Sequence, residues 1–542
     1  MTTIPDTIPQ AVRRAARQFG TRPAVREPNG HWIDYAELAD GIRATAAALL
    51  AHGIEPGDRV AVWAPNGLPW MLAALGAQYL GAVLLPLNTR YRGEAADVLA
   101  RGGARLLVVD QGFLDTDQLG LLRAAGPAPE PPAGGRAEHL PGGPPVPGLP
   151  GLHTVVSLGD QPAGTIGWKD FLSAAGPGDR DRAERLADAV TPSTRADIHY
   201  TSGTTGRPKG AMGGHRQALE VARSWAGPAQ VTPADRYLVM NPFFHTFGSK
   251  AGYLVCLVTG AGCLPVPVFD AAGILDLVAA EQVTVMPGPP TLFSSLLERP
   301  GAAAALASLR LAVTGAAIVP EALVAAIRAE LGVGVVLTAY GLTEAPVVTM
   351  CTAEDDAATV ASTCGRPVRG TEVRIRREDG TDAAAGEPGE LLVRSPQVMT
   401  GYLDDPGATA AAIDTGGWLH TGDVATLDAR GCLRITDRIK DMFTVGGFNV
   451  YPAEIERVLA GHPDVLESAV IGIPEERMGE VPAAYVVPRS GHTVDPDAAI
   501  AFCRERLANF KVPRRVVPVA SLPRNAGGKV LKAELRRRLT AP

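Results

Sequence analysis

The sequence predicts an α/β chain in two parts. A large N-terminal part is built on largely parallel sheet, and a C-terminal part of about a hundred residues has a compact α+β pattern. Three observations predict this. Short apolar runs alternate with helical patterns from the start of the chain, as in α/β proteins. The 542 residues exceed a single small domain at ~100–200 residues per domain. The character of the chain also changes near residue 440, where Asp437-Arg438-Ile439-Lys440-Asp441 forms a charged patch.

Taken in order, Pro56-Gly57-Asp58 reads as a turn, and Arg59 to Val62 and Leu106 to Asp110 read as buried strands. Residues 126–152 are dominated by Pro and Gly and lack aromatics, which predicts a surface excursion rather than a core element. Asp197 to Thr201 alternates like a strand and runs into a Gly/Thr-rich turn. A helix follows with Ala218, Val221, Ala222 and Trp225 on one face. Val335 to Tyr340 reads as a buried strand ending at Gly341. Glu387-Pro388-Gly389-Glu390 has Pro and Gly where a type II turn uses them, and Leu391 to Val393 starts the next strand. Leu433 and Ile435 form a short strand before the charged patch, where a domain boundary is expected at 437–441. Beyond it, Pro452 starts a helix with Ile455, Val458 and Leu459 on a shared face. Asp495-Pro496 caps another, with Ile500, Cys503 and Leu507.

Composition narrows the function classes. The 51 basic and 57 acidic side chains leave a net charge of −6, without the basic excess of a nucleic-acid binder. With 61 glycines and 46 prolines, about a fifth of the chain favours turns and loops. The six cysteines form no C-x-x-C pair and no Cys/His cluster with zinc spacing, so free thiols in a reducing compartment are expected. No apolar run reaches the ~18 residues of a membrane span. The N-terminus MTTIPDTIPQAVRRAARQFG lacks an apolar signal core, and a cytoplasmic setting is the expectation. Lysine is scarce: only Lys169, Lys209, Lys250, Lys440, Lys511, Lys529 and Lys532 occur against 44 arginines, which gives each lysine weight.

The segment Thr201-Ser202-Gly203-Thr204-Thr205-Gly206-Arg207-Pro208-Lys209-Gly210 carries the most chemistry. A loop rich in glycine and hydroxyls after a strand offers backbone N–H groups and hydroxyl donors to an anion, and Lys209 adds a positive charge. A polyphosphate fits these donors. It is not a Walker A loop, because Pro208 precedes the lysine. On composition alone a flexible turn of small residues remains open.

TSGTTGRPKG resembles the phosphate loop of the adenylate-forming superfamily of acyl-CoA synthetases, adenylation domains and luciferases. Further segments match in order: Tyr340-Gly341-Leu342-Thr343-Glu344, Thr421-Gly422-Asp423, Asp437-Arg438-Ile439-Lys440, and Pro523-Arg524-Asn525-Ala526-Gly527-Gly528-Lys529. The resemblance covers essentially the whole chain except the Pro/Gly excursion. It implies an N-terminal domain of several subdomains with mixed, largely parallel sheets over 1–437, a hinge at 438–441, and a mobile α+β domain over 442–542.

The resemblance also implies roles. Thr201, Ser202, Gly203, Thr204, Thr205, Gly206 and Lys209 would hold the phosphates of ATP, with Thr201 and Glu344 on Mg²⁺. That cation takes hard oxygen ligands and few protein contacts. Gly315, Ala316 and Ala317 would leave room for adenine beside Tyr340. Ala339, Gly341, Leu342, Thr343 and Ile435 would complete the nucleotide site. Asp423 would accept from the ribose hydroxyls, and Arg438 would donate to the ribose and a phosphate. Lys529 would bridge the substrate carboxylate and the α-phosphate as charge moves, a task suited to a compact ammonium. Phe244, His245, Gly248, Lys250 and Gly341 would line the acyl site, with His245 near the acyl carbonyl. Lys250 would meet a polar group of the acid or reach solvent. Lys440 would be the pivot, and Gly446, Gly447 and Phe448 would flank the pantetheine of coenzyme A.

The activity implied is that of an acid–CoA ligase using ATP and Mg²⁺. NPFFHTFGSKAG, TVMPGPPT, AYGLTEAPVVTMC and VGGFNVYPAEIE look most like actinobacterial ligases for bulky polycyclic acids of steroid or terpenoid origin. Two segments depart from the pattern, Gly213-Gly214-His215 and the loose Asn525-Ala526-Gly527-Gly528. They keep open an enzyme that only thioesterifies a supplied adenylate. Three further alternatives are one that loads a carrier protein, a luciferase-like oxygenase, and a silent nucleotide-binding interaction protein. The expected partners are a carboxylic acid, ATP and CoA, with neither nucleic acid nor membrane span, and with a homodimer allowed.

Overall fold

The computed structural model describes residues 6–125, 145–201, 208–315, 319–438, 441–445, 448–475, 477–524 and 530–540. Among the described residues the strands make four sheets. One sheet has nine strands, in the order Arg366–Pro367, Ala345–Met350, Val335–Leu342, Leu311–Gly315, Val285–Gly288, Arg236–Val239, Gly262–Pro265, Pro23–Arg26 and Trp32–Asp34. From Val335–Leu342 through Pro23–Arg26 every neighbour is parallel, and antiparallel strands close both edges. The second sheet has eight strands, in the order Gly401–Tyr402, Lys209–Gly214, Arg195–Thr201, Val83–Pro86, Arg59–Trp63, Ala104–Val109, Thr154–Ser157 and Ile166–Gly167. The mixed, largely parallel architecture is the one the alternating pattern predicts.

Strand parity divides the core. In the eight-stranded sheet Val60, Val62, Leu84, Leu106 and Val108 join one cluster, while Ala61, Trp63, Leu85, Leu107 and Val109 join another. Successive side chains of a strand point to opposite faces, so a run buried on both sides is apolar throughout. The first cluster also takes Leu38, Ile42 and Ala46 of the helix Tyr35–Ala51 and Trp70, Ala73 and Ala77 of the helix Leu68–Tyr79, together with Val25, Tyr237 and Val285 of the nine-stranded sheet. The two large sheets therefore share one core with the helices. Asp34 starts the first helix with a capping box: its carboxylate accepts from the Glu37 N–H, and the Glu37 carboxylate accepts from the Asp34 N–H.

Two sequence expectations need correction. Of the Pro/Gly excursion, residues 126–144 lie outside the described residues. The remainder is core at its apolar positions, since Val146, Leu149 and Leu152 are buried against the second cluster. Three well-spaced aliphatics outweigh the loop-forming residues around them. The tight turn before Leu391 also falls earlier than expected. Glu387 N–H donates to the Ala384 carbonyl at 3.0 Å, and Gly386 takes a positive φ of +86°. Gly389 already belongs to the strand Gly389–Arg394.

Glu372–Arg376, Gly389–Arg394, Leu419–Leu427 and Leu433–Arg438 form a four-stranded antiparallel sheet. From Phe443 onward the chain has its own clusters around the hairpin Val465–Glu475 and Gly479–Pro488. Val470, Ala484 and Val486 face the helices Pro452–Ala460 and Pro496–Arg504, while Ile471, Ala483 and Tyr485 face Leu535. Asp495 caps Pro496–Arg504 by accepting from Asp497 N–H, and Leu507 follows that helix rather than belonging to it.

Candidate active site

The parallel strands of the nine-stranded sheet end together, and their carboxyl ends carry the predicted residues. Ligands of open α/β sheets bind outside the carboxyl ends of the strands, because loops and backbone groups gather there. Leu311–Gly315 delivers Gly315, whose neighbour in register is Ala339. Val335–Leu342 delivers Tyr340, Gly341 and Leu342 and pairs back with Ala345–Met350, so Thr343 and Glu344 sit at the turn. A Cβ on Gly341 would collide with the Pro346 carbonyl, so the turn requires glycine there.

From the other sheet, Arg195–Thr201 and Lys209–Gly214 form an antiparallel hairpin in which Thr201 faces Lys209 in register. The segment read as the phosphate loop joins these two strands in the sequence. Ser202, Gly203, Thr204, Thr205 and Gly206 lie outside the described residues, as do Ala316, Ala317, Lys440, Gly446, Gly447 and Lys529. Arg438 and Phe448 enter through their backbones: Arg438 is the register partner of Asp423, and Phe448 that of Val445.

The described residues converge in two groups. The Lys209 ammonium stands 5.2 Å from the Tyr402 ring centroid, a cation–π distance. The Tyr402 hydroxyl donates to Glu344 Oε1 at 2.7 Å. Burial and the Glu344 charge push the Tyr402 pKa up, so it remains a phenol and a donor. Among the described residues no hydrogen bond engages Glu344 Oε2, which leaves one carboxylate oxygen for a cation, with the Thr201 hydroxyl at the head of the loop. In the second group the Tyr340 hydroxyl donates to Asp423 Oδ2. Asp423 is buried, and its N–H donates to Thr421 Oγ1 at 3.1 Å. Tyr340 thus orients Asp423, and in the strand it follows Ala339, the register partner of Gly315. Ile435, Tyr340 and Leu342 are all partly buried against the same apolar cluster.

The predicted acyl residues follow the strand Arg236–Val239. Phe244 offers its carbonyl to His199 Nδ1 at 3.2 Å. His245 is exposed and caps the short helix Thr246–Gly248, its Nδ1 accepting from the Phe247 N–H at 3.2 Å. Gly248 has no room for a Cβ against the carbonyls of Asn241 and Pro242. Lys250 departs from one expectation. It does not reach solvent: it is 2 % exposed, and its ammonium donates to Asp197 Oδ1 at 2.9 Å and Gln217 Oε1 at 2.7 Å.

Sequence reading missed Tyr402, Asp197, His199, Gln217 and Gln397. Asp197 and His199 alternate with Ala196, Ile198 and Tyr200, so in the sequence they read as the polar face of a half-buried strand and not as buried residues. Tyr402 carries no local signal, because its partners Lys209 and Glu344 lie far away in the chain.

The sequence pattern of the AMP-binding enzymes matches residues 12–403, and that of the AMP-binding enzyme C-terminal domain matches residues 454–529. The chain belongs to the AMP-binding enzyme family. It is an acyl-CoA synthetase, an AMP-forming acid–thiol ligase. Over 99 % of its length, and 99 % of the relative's, it is 50 % identical to a 3-[(3aS,4S,7aS)-7a-methyl-1,5-dioxo-octahydro-1H-inden-4-yl]propanoyl:CoA ligase of Rhodococcus jostii (strain RHA1). A ligase of the same description from Mycobacterium tuberculosis (strain ATCC 25618 / H37Rv) is 48 % identical, over 98 % of each chain. Among solved structures, ATP-bound MatB from Rhodopseudomonas palustris superposes with a TM-score of 0.83 at 30 % identity, covering 98 % of this chain and 99 % of that one.

Proposed function

We propose that this protein joins a fused-ring propanoic acid bearing ring ketones to coenzyme A, using ATP and Mg²⁺. The observation that carries the reading is full-length identity of 50 % to a ligase whose named acyl group is a dioxo-octahydroindenyl propanoyl. The convergence of Lys209, Tyr402, Glu344, Tyr340 and Asp423 at the strand ends supports it.

A carboxylate is a poor acyl donor. Its oxygen attacks the α-phosphorus of ATP, the bond to the β-phosphate oxygen breaks, and pyrophosphate leaves. The thiolate of CoA then attacks the acyl carbon and AMP leaves. Mg²⁺ would supply charge neutralisation on the phosphates, held by Glu344 and Thr201. Few protein oxygens are needed, because phosphate oxygens and water complete its shell. The residues of this chain position the reactants and stabilise charge, the terms that dominate phosphoryl transfer. Lys209 balances phosphate charge. Asp423, held by Tyr340, accepts from the ribose hydroxyls, with Arg438 beside it in register. Ala316 and Ala317 continue from Gly315 to flank the adenine. His245, with Phe244 and Gly248, guards the acyl carbonyl. Lys529 bridges the carboxylate and the α-phosphate, and leaves when the domain 442–542 turns about Lys440. Gly446, Gly447 and Phe448 then line the path of the pantetheine. A cytoplasmic setting, with ATP, CoA and reducing conditions at hand, fits six free cysteines.

The test incubates the protein with ATP, Mg²⁺ and a panel of fused-ring acids, with and without CoA, and follows pyrophosphate, AMP and acyl-CoA by mass. Pyrophosphate release that depends on the acid, and acyl-CoA only when CoA is present, is the expected result. Ester formed solely from supplied acyl-adenylate would replace the full reaction with its second half.

A further inference from the structure

Arg195–Thr201 is the strand that leads into the phosphate loop, and its two faces differ. Ile198 and Tyr200 belong to an apolar cluster. The opposite face carries Asp197 and His199 and ends in Thr201. Asp197 is 2 % exposed and His199 4 %. Facing them are Lys250 and Gln217, and Gln217 Nε2 donates to the backbone carbonyl of Gln397 at 2.8 Å. A Cβ on Gly213 would lie 2.5 Å from Asp197 Oδ1 and 2.8 Å from both Gln217 Oε1 and Lys250 Nζ. The glycine is the space in which this buried cluster sits.

The cluster is not internally satisfied. The Phe244 carbonyl can only accept, so His199 Nδ1 carries the proton of a neutral ring. The ring stays neutral because burial pushes its pKa down to about 4. His199 Nε2 is then a lone pair, and Asp197 Oδ1, another acceptor, stands 3.6 Å from it. It has no hydrogen-bond partner among the described residues, and neither do Oε1 and Nε2 of Gln397, whose side chain is fully buried. Two of the three N–H groups of Lys250 go to Asp197 and Gln217. Native proteins pair nearly all buried polar atoms, so the orphans on His199 and on Gln397, whose backbone carbonyl Gln217 ties to Lys250, call for a partner. The partner is placed by continuity. His199 is bonded to Phe244, and Lys250 is five residues beyond His245, so the cluster adjoins the segment assigned to the acyl group.

We propose that His199, Gln397 and Lys250 form a polar subsite of the acyl pocket that reads an oxygen substituent on the carbon skeleton of the acid, remote from its carboxylate. Resting on the ligase reading above, it assigns donors and acceptors separately. Gln397 Nε2 and the Lys250 ammonium donate to a ring carbonyl, and His199 Nε2 accepts from a ring hydroxyl. A site built to hydrogen-bond such a group rejects an analogue lacking it, because its own buried groups then go unpaired.

The experiment uses three non-hydrolysable acyl-sulfamoyl adenosines of one perhydroindene propanoic acid, with a ketone, an alcohol or a methylene at the same ring carbon. Binding to the full-length protein is measured by calorimetry, and turnover of the three free acids is followed alongside. We expect the two oxygenated ligands to bind at least about 100-fold tighter than the methylene ligand. Gln397→Leu should reduce the ketone preference about tenfold or more, and His199→Leu the alcohol preference. Gln397→Leu should not lower the melting temperature, since it removes only unpaired polar atoms. Equal binding of the three ligands by the wild-type protein overturns the proposal, as does retention of both preferences within threefold in both variants. Binding with discrimination but no acyl-CoA from any free acid would sink the ligase reading and leave the subsite standing.

Discussion

Lys250 and Asp197 are 53 residues apart in sequence and share one of the most buried charge contacts of the molecule. Removing one partner of a buried ion pair leaves the other charge uncompensated, whereas replacing both with apolar residues is often neutral. Lys250→Met should therefore cost about 3–5 kcal/mol in urea unfolding, and the double change Asp197→Leu/Lys250→Met should restore most of it. A double variant as unstable as the single one would show that Asp197 is not what makes Lys250 necessary. Gly213 belongs to the same argument. The atoms a new Cβ would meet are side-chain tips, which ordinarily move aside, but here they are tied to one another and walled in. Gly213→Ala should lose about 1–3 kcal/mol by overpacking. An unchanged unfolding midpoint would show that the cluster can shift. The Gly213-Gly214 departure thus has a packing reason, and the reason was illegible in the sequence because it needs four residues from three separate segments.

Among elements, a hydrogen bond ties the strand Leu433–Arg438 to the helix Pro452–Ala460. Asp437 Oδ2 accepts from Ala453 N–H at 2.8 Å. Ala453 is in the first turn of its helix, where the N–H groups lack intrahelical partners and the residue before the helix makes no side-chain cap. A carboxylate from a distant strand does the capping and links the end of the four-stranded sheet to the C-terminal unit. Asp437→Ala should cost about 1 kcal/mol and speed amide exchange across 452–460, read by mass spectrometry. Exchange at the wild-type rate would mean the helix is held without it. At this scale the sequence was most legible. Strand alternation, the Asp495 cap and the apolar face of Ile455 and Leu459 are local patterns that folding only has to obey. The failures were also local. The turn before Leu391 was set by Gly386, where the chain needs positive φ, although Pro388-Gly389 has the stronger turn composition. Val146, Leu149 and Leu152 were masked by the prolines around them. The motif residues Tyr340 and Asp423 meet in the fold, but Tyr402, which couples Lys209 to Glu344, comes from a third segment and was readable only after folding.

For the whole molecule, two buried histidines make stability depend on pH. His215 opens the helix His215–Ala226, and its Nδ1 accepts from the Ile8 N–H at 3.2 Å, tying the N-terminal helix to the core. Burial pushes its pKa down to about 4, partly opposed by the Asp197 charge, and burial does the same to His199. An imidazole in the unfolded chain titrates near 6.5. Between about 6.5 and 4 the unfolded chain therefore binds protons that the folded chain does not, and stability must fall as pH falls through that window. Above 6.5 both states are neutral at these sites and the contribution is constant. At pH 5 each histidine should account for about 2 kcal/mol of lost stability relative to pH 7.5. His215→Asn separates this from the titration of carboxylates. Asparagine Oδ1 can take the place of Nδ1 as acceptor for Ile8, and the lost Nε2 has no partner among the described residues. The variant should be nearly as stable as the wild type at pH 7.5 and should lose about 2 kcal/mol less on going to pH 5, measured by urea midpoints at both values. Parallel losses in the two proteins would mean that His215 is not held neutral in the folded state.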